Sequence, residues 1–315
     1  MLLGPDTIPL AAQPPEFDRT AMAFNTELDR VATLIEARLQ TILSVRAATS
    51  GSLAEAVRYA ALGGGKRLRP FLLIKSARIF GVEEERALDT ACALECIHCY
   101  SLVHDDLPAM DDDDTRRGRP TVHIAYGEAT AILVGDALLT IAFEILSGET
   151  ADSDPAIRVE LIALLAKAAG WQGMVLGQAL DLSAEREALG ANAVAAMQAL
   201  KTGVLFGFAC EAGAVLGRAD RKDRDALKAY AAALGQAFQL ADDLLDAEGT
   251  AEAAGKAVAK DAGRGKATLV GLLGPDAARA RLADLVRAAE HALQPFGDRA
   301  ATLLETARFI AARKA

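Results

Sequence analysis

The stretch ALDTACALECIHCYSLVHDDLPAMDDDDTRRGRPT, residues 87–121, joins a long helix-forming run to an acidic loop broken by prolines. Ala, Cys and Leu dominate its first half, which predicts a helix from about Glu83 to Asp106. Cys92, Cys96, Cys99 and Val103 recur there at steps of four, three and four, a stripe of small apolar groups suited to a buried face. A second stripe, Leu94, His98, Ser101 and Asp105, runs into the adjacent carboxylates Asp105 and Asp106. Residues 107–121 hold Pro108, Gly118 and Pro120, which predict an irregular loop.

The same helical signal extends outward. Leu28, Val31, Leu34, Ile35 and Leu39 recur at steps of three and four, an amphipathic helix. Further helices are predicted near residues 126–147, 154–180, 191–217, 223–248, 276–293 and 298–313. No convincing strand and no interdomain linker interrupts them. Across 315 residues, 52% hydrophobic with few aromatics, this predicts a single all-α domain, a bundle of ten or more helices. Residues 1–20 carry Pro5, Pro9, Pro14 and Pro15 without a basic segment, so they read as a flexible leader ahead of a catalytic domain at 21–315. No 18 residues pass without a charge, so no membrane span is expected. A net charge of −9 argues against nucleic acid as a partner. Four cysteines without a secretory signal suggest reduced thiols and a cytoplasmic location.

Isolated acidic runs are usually solvated loops. Here Asp105 and Asp106 end an apolar stretch where unpaired carboxylates are costly, Arg116 and Arg117 follow, and a second cluster lies downstream. That cluster ends FQLADDLLD, residues 238–246. Asp242 and Asp246 share a helical face with Phe238, and Asp243 pairs with Gln239 at the same spacing. Carboxylates on facing helices suit Mg²⁺, with Mn²⁺ as a substitute, because such ions take oxygen ligands and bridge carboxylates to phosphates. Acidic walls with metal ions between them reconcile a negative chain with an anionic ligand. Asp112, Asp113 and Asp114 read as solvated or supporting groups.

Basic groups gather around these clusters. Lys66, Arg67 and Arg69 follow three glycines in GGGKRLRP, residues 63–70, where bare backbone can approach an anion. No strand precedes this loop, which excludes a P-loop or dinucleotide fingerprint. Lys201-Thr202, Lys256 and Lys266 supply further points. His98 shares a face with Asp105 and reads as an anion contact. His104 reads as structural.

Taken together, GGGKRLRP at 63–70, IHCYSLVHDDLPAMDDDDTRRGRPT at 97–121, KTG at 201–203, GQAFQLADDLLD at 235–246, GK at 255–256 and GKAT at 265–268 resemble the trans-polyprenyl diphosphate synthases, and within them the bacterial farnesyl-forming group. The resemblance implies an all-α fold around a deep apolar cavity, a homodimer, and small-molecule diphosphate substrates. It implies Mg²⁺ ligation by Asp105, Asp106, Asp111, Asp242, Asp243 and Asp246. It places isopentenyl diphosphate against Lys66, Arg69, His98 and Arg117, and the allylic diphosphate against Arg116, Lys201, Lys256 and Lys266. Thr202 and Gln239 would lie against the developing cation. Tyr100 and Ser101, a turn before the first cluster, would limit product length. Rotation is the weak point for Tyr100, which points about 140° from Asp105 on a straight helix.

Three other readings compete. Cys92, Cys96 and Cys99 have the spacing of a radical S-adenosylmethionine iron–sulfur motif, but their place on one helical stripe favours the core. The non-enzymatic reading is an acidic divalent-metal-binding helical protein or an idle subunit of a heteromeric synthase; an idle subunit would be expected to lack one cluster, and both are present. Terpene cyclases carry a different second metal motif. A geranylgeranyl-forming relative with the same spacer remains the alternative within the family.

Overall fold

Every residue from Ala87 to Ile97 of helix α4 (Glu84–Asp105) is buried. A helix buried on all sides belongs in the middle of a bundle, and its two buried acids there, Asp89 and Glu95, are paired with Arg38 and Arg67. Helix α10 (Val204–Leu216) shares that environment, buried continuously from Phe208 to Leu216. The computed structural model describes residues 16–46, 51–184, 189–248 and 268–312. Around the two central helices lie α1 (Glu16–Arg46), α2 (Gly51–Ala61), α3 (Leu68–Ile79), α5 (Val122–Tyr126), α6 (Glu128–Ser147), α7 (Pro155–Ala169), α8 (Met174–Ala184), α9 (Ala191–Gln198), α11 (Arg221–Glu248), α12 (Leu269–Leu273), α13 (Pro275–Leu293) and α14 (Ala301–Ala312). Helix α4 packs on α6 and α3, α10 on α3 and α11, and α11 on α13. The all-α expectation holds.

Several boundaries differ from the sequence reading. The helix expected over 154–180 is two helices, α7 and α8. Helix α7 starts cleanly, with Pro155 in its first turn and the Asp154 carboxylate accepting from the Ala156 N–H; Gly170 and Gly173 then divide it from α8. The helix expected over 191–217 is interrupted by a π-turn, Ala199–Gly203, which carries Lys201 and Thr202. Inside the acidic loop, β1 (Thr115–Arg116) pairs antiparallel with β2 (Arg119–Pro120), a hairpin where no strand is expected. Arg117 and Gly118 both take positive φ, 52° and 72°, as a two-residue hairpin turn demands. Helix α1 begins at Glu16, within the stretch read as a leader; residues 1–15 lie outside those described.

The criterion behind the membrane expectation needs correcting. Glu128–Ser147, Pro155–Ala184 and Ala191–Leu216 are long and apolar enough to cross a membrane by length and composition. A charge-free run is too strict a requirement, because a mostly apolar window tolerates a charge or two. Of these, the second breaks at 170–173 and the third holds the π-turn with Lys201.

Candidate active site

The acidic end of α4 opens onto a cavity of about 390 Å³. Arg69, His98, Asp105, Gln178, Lys201 and Thr202 are among its polar groups, and Met110, Met174, Val175, Leu182 and Leu205 form much of its apolar wall. Tyr100 and Ser101 line it too, so the rotational objection to Tyr100 falls: the cavity wraps round the last turns of α4. Burial and the Asp105 charge push the Tyr100 phenol up to about 12. His104, read as structural, lines the same cavity, its ring 5.9 Å from that of Tyr100 and its Nε2 3.1 Å from the Ile132 carbonyl oxygen.

The loop after α4 folds back on the helix end. The Asp111 N–H donates to the Asp105 carbonyl at 2.8 Å, and Asp113 N–H to that of Asp106 at 3.2 Å. Asp111 is thereby brought near Asp105. Burial pushes the Asp105 carboxyl up to about 6; Lys201 opposes that shift, and Asp111 and Asp106 add to it. Asp106 is engaged differently. Arg116 Nε donates to both its oxygens, at 2.7 and 3.0 Å, so two residues expected to face metal and substrate face each other. The guanidinium reaches from the hairpin back to the end of α4, where a bidentate pair offsets the burial of Asp106.

On α11 the second cluster is braced by amides. Gln198 Nε2 and Gln239 Nε2 donate to Asp243, at 3.1 and 2.9 Å. Thr202 Oγ1 donates to Gln239 Oε1 at 3.3 Å, which ties the π-turn to α11. Asp242 is close enough to Arg69 for its charge to oppose the lowering of the Arg69 pKa by burial, so both clusters address the same region. Asp246 is exposed. Among the described residues no three His, Cys, Asp or Glu side chains form a ready-made metal cage. An all-oxygen donor set and the crowding of acids around Asp105 nevertheless fit Mg²⁺, which keeps waters and needs only one or two carboxylates.

A second cavity, about 150 Å³, gathers Lys66, Arg69, His98 and Arg117 with Phe238 and Phe309. Burial lowers the Arg69 pKa, against the pull of Glu95 and Asp242. Its Nη1 lies 3.4 Å from His98 Nε2. Burial, then the charges of Arg69 and Arg117, hold His98 well below its usual pKa and therefore neutral. Arg117 donates to the Gly64 carbonyl. A Cβ on Gly65, where φ is +117°, would stand 2.8 Å from the Arg117 guanidinium carbon. Bare backbone in this loop thus seats a protein arginine, a use the sequence reading assigned to an anion.

Sequence reasoning missed Glu95 and Asp181, and it grouped Arg67 with Lys66 and Arg69 as an anion contact, whereas Arg67 turns inward to protein acids. Arg67 is buried in a left-handed conformation, paired with Glu95 at 2.5 Å and Glu36 at 2.6 Å. Lys201 pairs with Asp181 at 2.7 Å. The available signal was a single acid inside an apolar helix, as Glu95 is in 91–97. Lys256 and Lys266 lie outside the described residues. Cys92, Cys96 and Cys99 are buried in the core. Burial pushes the Cys99 thiol up to about 11 and that of Cys92 higher still. Protonated thiols disfavour an iron–sulfur role.

A family model described as polyprenyl synthetase matches residues 50–294. The chain is 44% identical to the farnesyl diphosphate synthase of Geobacillus stearothermophilus, across 83% of this chain and 88% of that protein. It is 42% identical to that of Haemophilus influenzae, across 92% and 99%. Identity to the chloroplastic geranylgeranyl pyrophosphate synthase of Capsicum annuum is 41%, across 82% and 71%. Among solved structures, an FPP/GFPP synthase from Zymomonas mobilis superposes with a TM-score of 0.84 at 47% identity, covering 93% of this chain and all of that one.

Proposed function

This chain belongs to the polyprenyl synthetase family and is a short-chain trans-prenyltransferase; from that premise we propose that it condenses isopentenyl diphosphate with dimethylallyl and geranyl diphosphates to give farnesyl diphosphate. The observation that carries the proposal is the pair of adjoining cavities. One joins carboxylate, lysine and apolar walls; the other gathers cationic and imidazole groups.

In this proposal Asp105, Asp111 and Asp242, supported by Asp106, Asp243 and Asp246, hold Mg²⁺ or Mn²⁺, which when bound neutralises charge on the departing diphosphate. Lys201, with Lys256 and Lys266, orients the allylic diphosphate. Arg116 acts at one remove, by holding Asp106. Thr202 and Gln239 lie against the developing allylic cation; by donating its proton to the Gln239 oxygen, Thr202 leaves its hydroxyl lone pairs for that charge. Lys66, Arg69, neutral His98 and Arg117 hold isopentenyl diphosphate so that its alkene stands in attack geometry. The new C–C bond forms, and the departed diphosphate takes the proton that is lost. Apolar walls keep out the water that would quench the cation.

Product length is assigned to Tyr100, whose phenol occupies cavity that another isoprene unit would need. Chromatography of products from dimethylallyl and isopentenyl diphosphates tests this: C15 diphosphate is expected, and a C20 product would favour the geranylgeranyl reading. Tyr100→Ala should lengthen the product, and unchanged C15 output would defeat the assignment. The same proposal includes a cytoplasmic homodimer. Ile124, Ile132 and Leu133 expose about half their surfaces along α5 and α6, an apolar face that a second copy would cover. Sedimentation at micromolar concentration should give a dimer, and a monomer would remove that part.

A further inference from the structure

The geometry points to Asp181 as the positioning residue of Lys201, holding its ammonium group ready for the allylic diphosphate. Two features of α8 act together on the π-turn. Gly177 comes first. A Cβ there would stand 2.2 Å from the Lys201 backbone nitrogen and 2.6 Å from its Cα, so α8 and the π-turn touch backbone to backbone. Asp181 follows one helical turn later, on the same face. It is 7% exposed, and its Oδ2 accepts from Lys201 Nζ at 2.7 Å. Gly177 therefore sets where the lysine backbone lies, and Asp181 sets where the far end of its side chain goes.

Position matters because Lys201 is shared. Lys201 lines the same cavity as Asp105 and its charge opposes the rise of that carboxyl's pKa, so the ammonium stands under the influence of two carboxylates. A lysine stem is flexible, and ordering it before substrate binds removes that entropy loss from the binding step. The proposal makes an unusual prediction of sign. A carboxylate beside a phosphate-binding lysine repels diphosphate, so charge alone predicts tighter binding once Asp181 is neutralised. Positioning predicts weaker binding.

The inference rests on the prenyltransferase reading, and wild-type enzyme that forms no condensation product would defeat that reading first. With wild type active, Asp181→Asn should raise the KM for geranyl diphosphate roughly tenfold and lower kcat, with the KM for isopentenyl diphosphate little changed. Asp181→Glu, which keeps the charge, should recover part of the loss. An unchanged or lowered allylic KM, or equal rises for both substrates, would overturn the proposal. A second comparison serves if Asp181→Asn fails to fold, because removing both partners leaves no buried charge unpaired. Adding Asp181→Asn to Lys201→Met should leave the kinetics of Lys201→Met unchanged, since Asp181 acts through that lysine. A further loss in the double variant would contradict the assignment.

Discussion

At the end of α4, half-buried Asp105 sits among other acids, and desolvation pushes its carboxyl up to about 6, whereas on α11 Asp243 rests between the amides of Gln198 and Gln239. The first cluster carries its charge against the preference of its surroundings. In the second, neutral dipoles already replace part of the water that a carboxylate would otherwise hold. A proposed metal centre built from both halves thus combines an electrostatically loaded side with a braced one. Loss of either should stop turnover, yet only the loaded side should show in the stability of the metal-free fold.

The largest effect expected is on turnover. Asp105→Ala and Asp242→Ala should each lower kcat by about a thousandfold or more, because each removes a group acting on transition-state charge. Steady-state kinetics of folded protein decide this, and near-normal turnover by either variant would break the two-sided account.

Stability separates the clusters next. The Asp105 pKa is raised from 3.8 to about 6 on folding. The folded chain thus keeps a proton that the unfolded chain releases, and stability falls as pH rises from about 4 to 6. Above pH 6 the penalty is complete, roughly 2–3 kcal/mol at about 1.4 kcal/mol per pKa unit. Asp105→Asn should therefore raise the Tm of metal-free protein at pH 7.5 while abolishing activity. A Tm below that of wild type would show that Asp105 is stabilising there.

Smaller effects follow at the flanks. Lys66→Ala and Arg69→Ala should raise the KM for isopentenyl diphosphate about tenfold, with less change in kcat, since they bind an anion whose charge hardly alters during ionisation. A rise confined to the allylic KM would mean the two cavities are assigned in reverse. Gln198→Ala, which removes one of two amides from Asp243, should lower kcat/KM only about fivefold. A loss as large as that of Asp242→Ala would mean that the braced cluster depends on its bracing as much as on its acids.

Much of this site is legible in the chain itself. Helical periodicity places Asp105 below His98 and Asp243 beside Gln239, and both relations survive in the fold because α4 and α11 are regular there. Pairings across elements are another matter. An arginine following a run of acids has several partners to choose from, and only the hairpin at 115–120 selects Asp106 for Arg116. That hairpin is too short to show a strand's alternation. The π-turn at 199–203 lies in a stretch that propensity reads as unbroken helix, and its packing against Gly177 is a tertiary contact without local signature. Asp181 is the single acid of α8 and Glu95 the single acid of the apolar run 91–97, and their partners come from other segments.

Calorimetric titration of inorganic diphosphate tests the central claim most directly, in wild type, Asp105→Asn and Asp242→Asn, with Mg²⁺ and with chelator. The two-sided account predicts tight binding by wild type with Mg²⁺, a loss of at least tenfold in chelator, and a comparable loss in both variants even with the metal present. Undiminished binding in chelator, or in either variant, would contradict it.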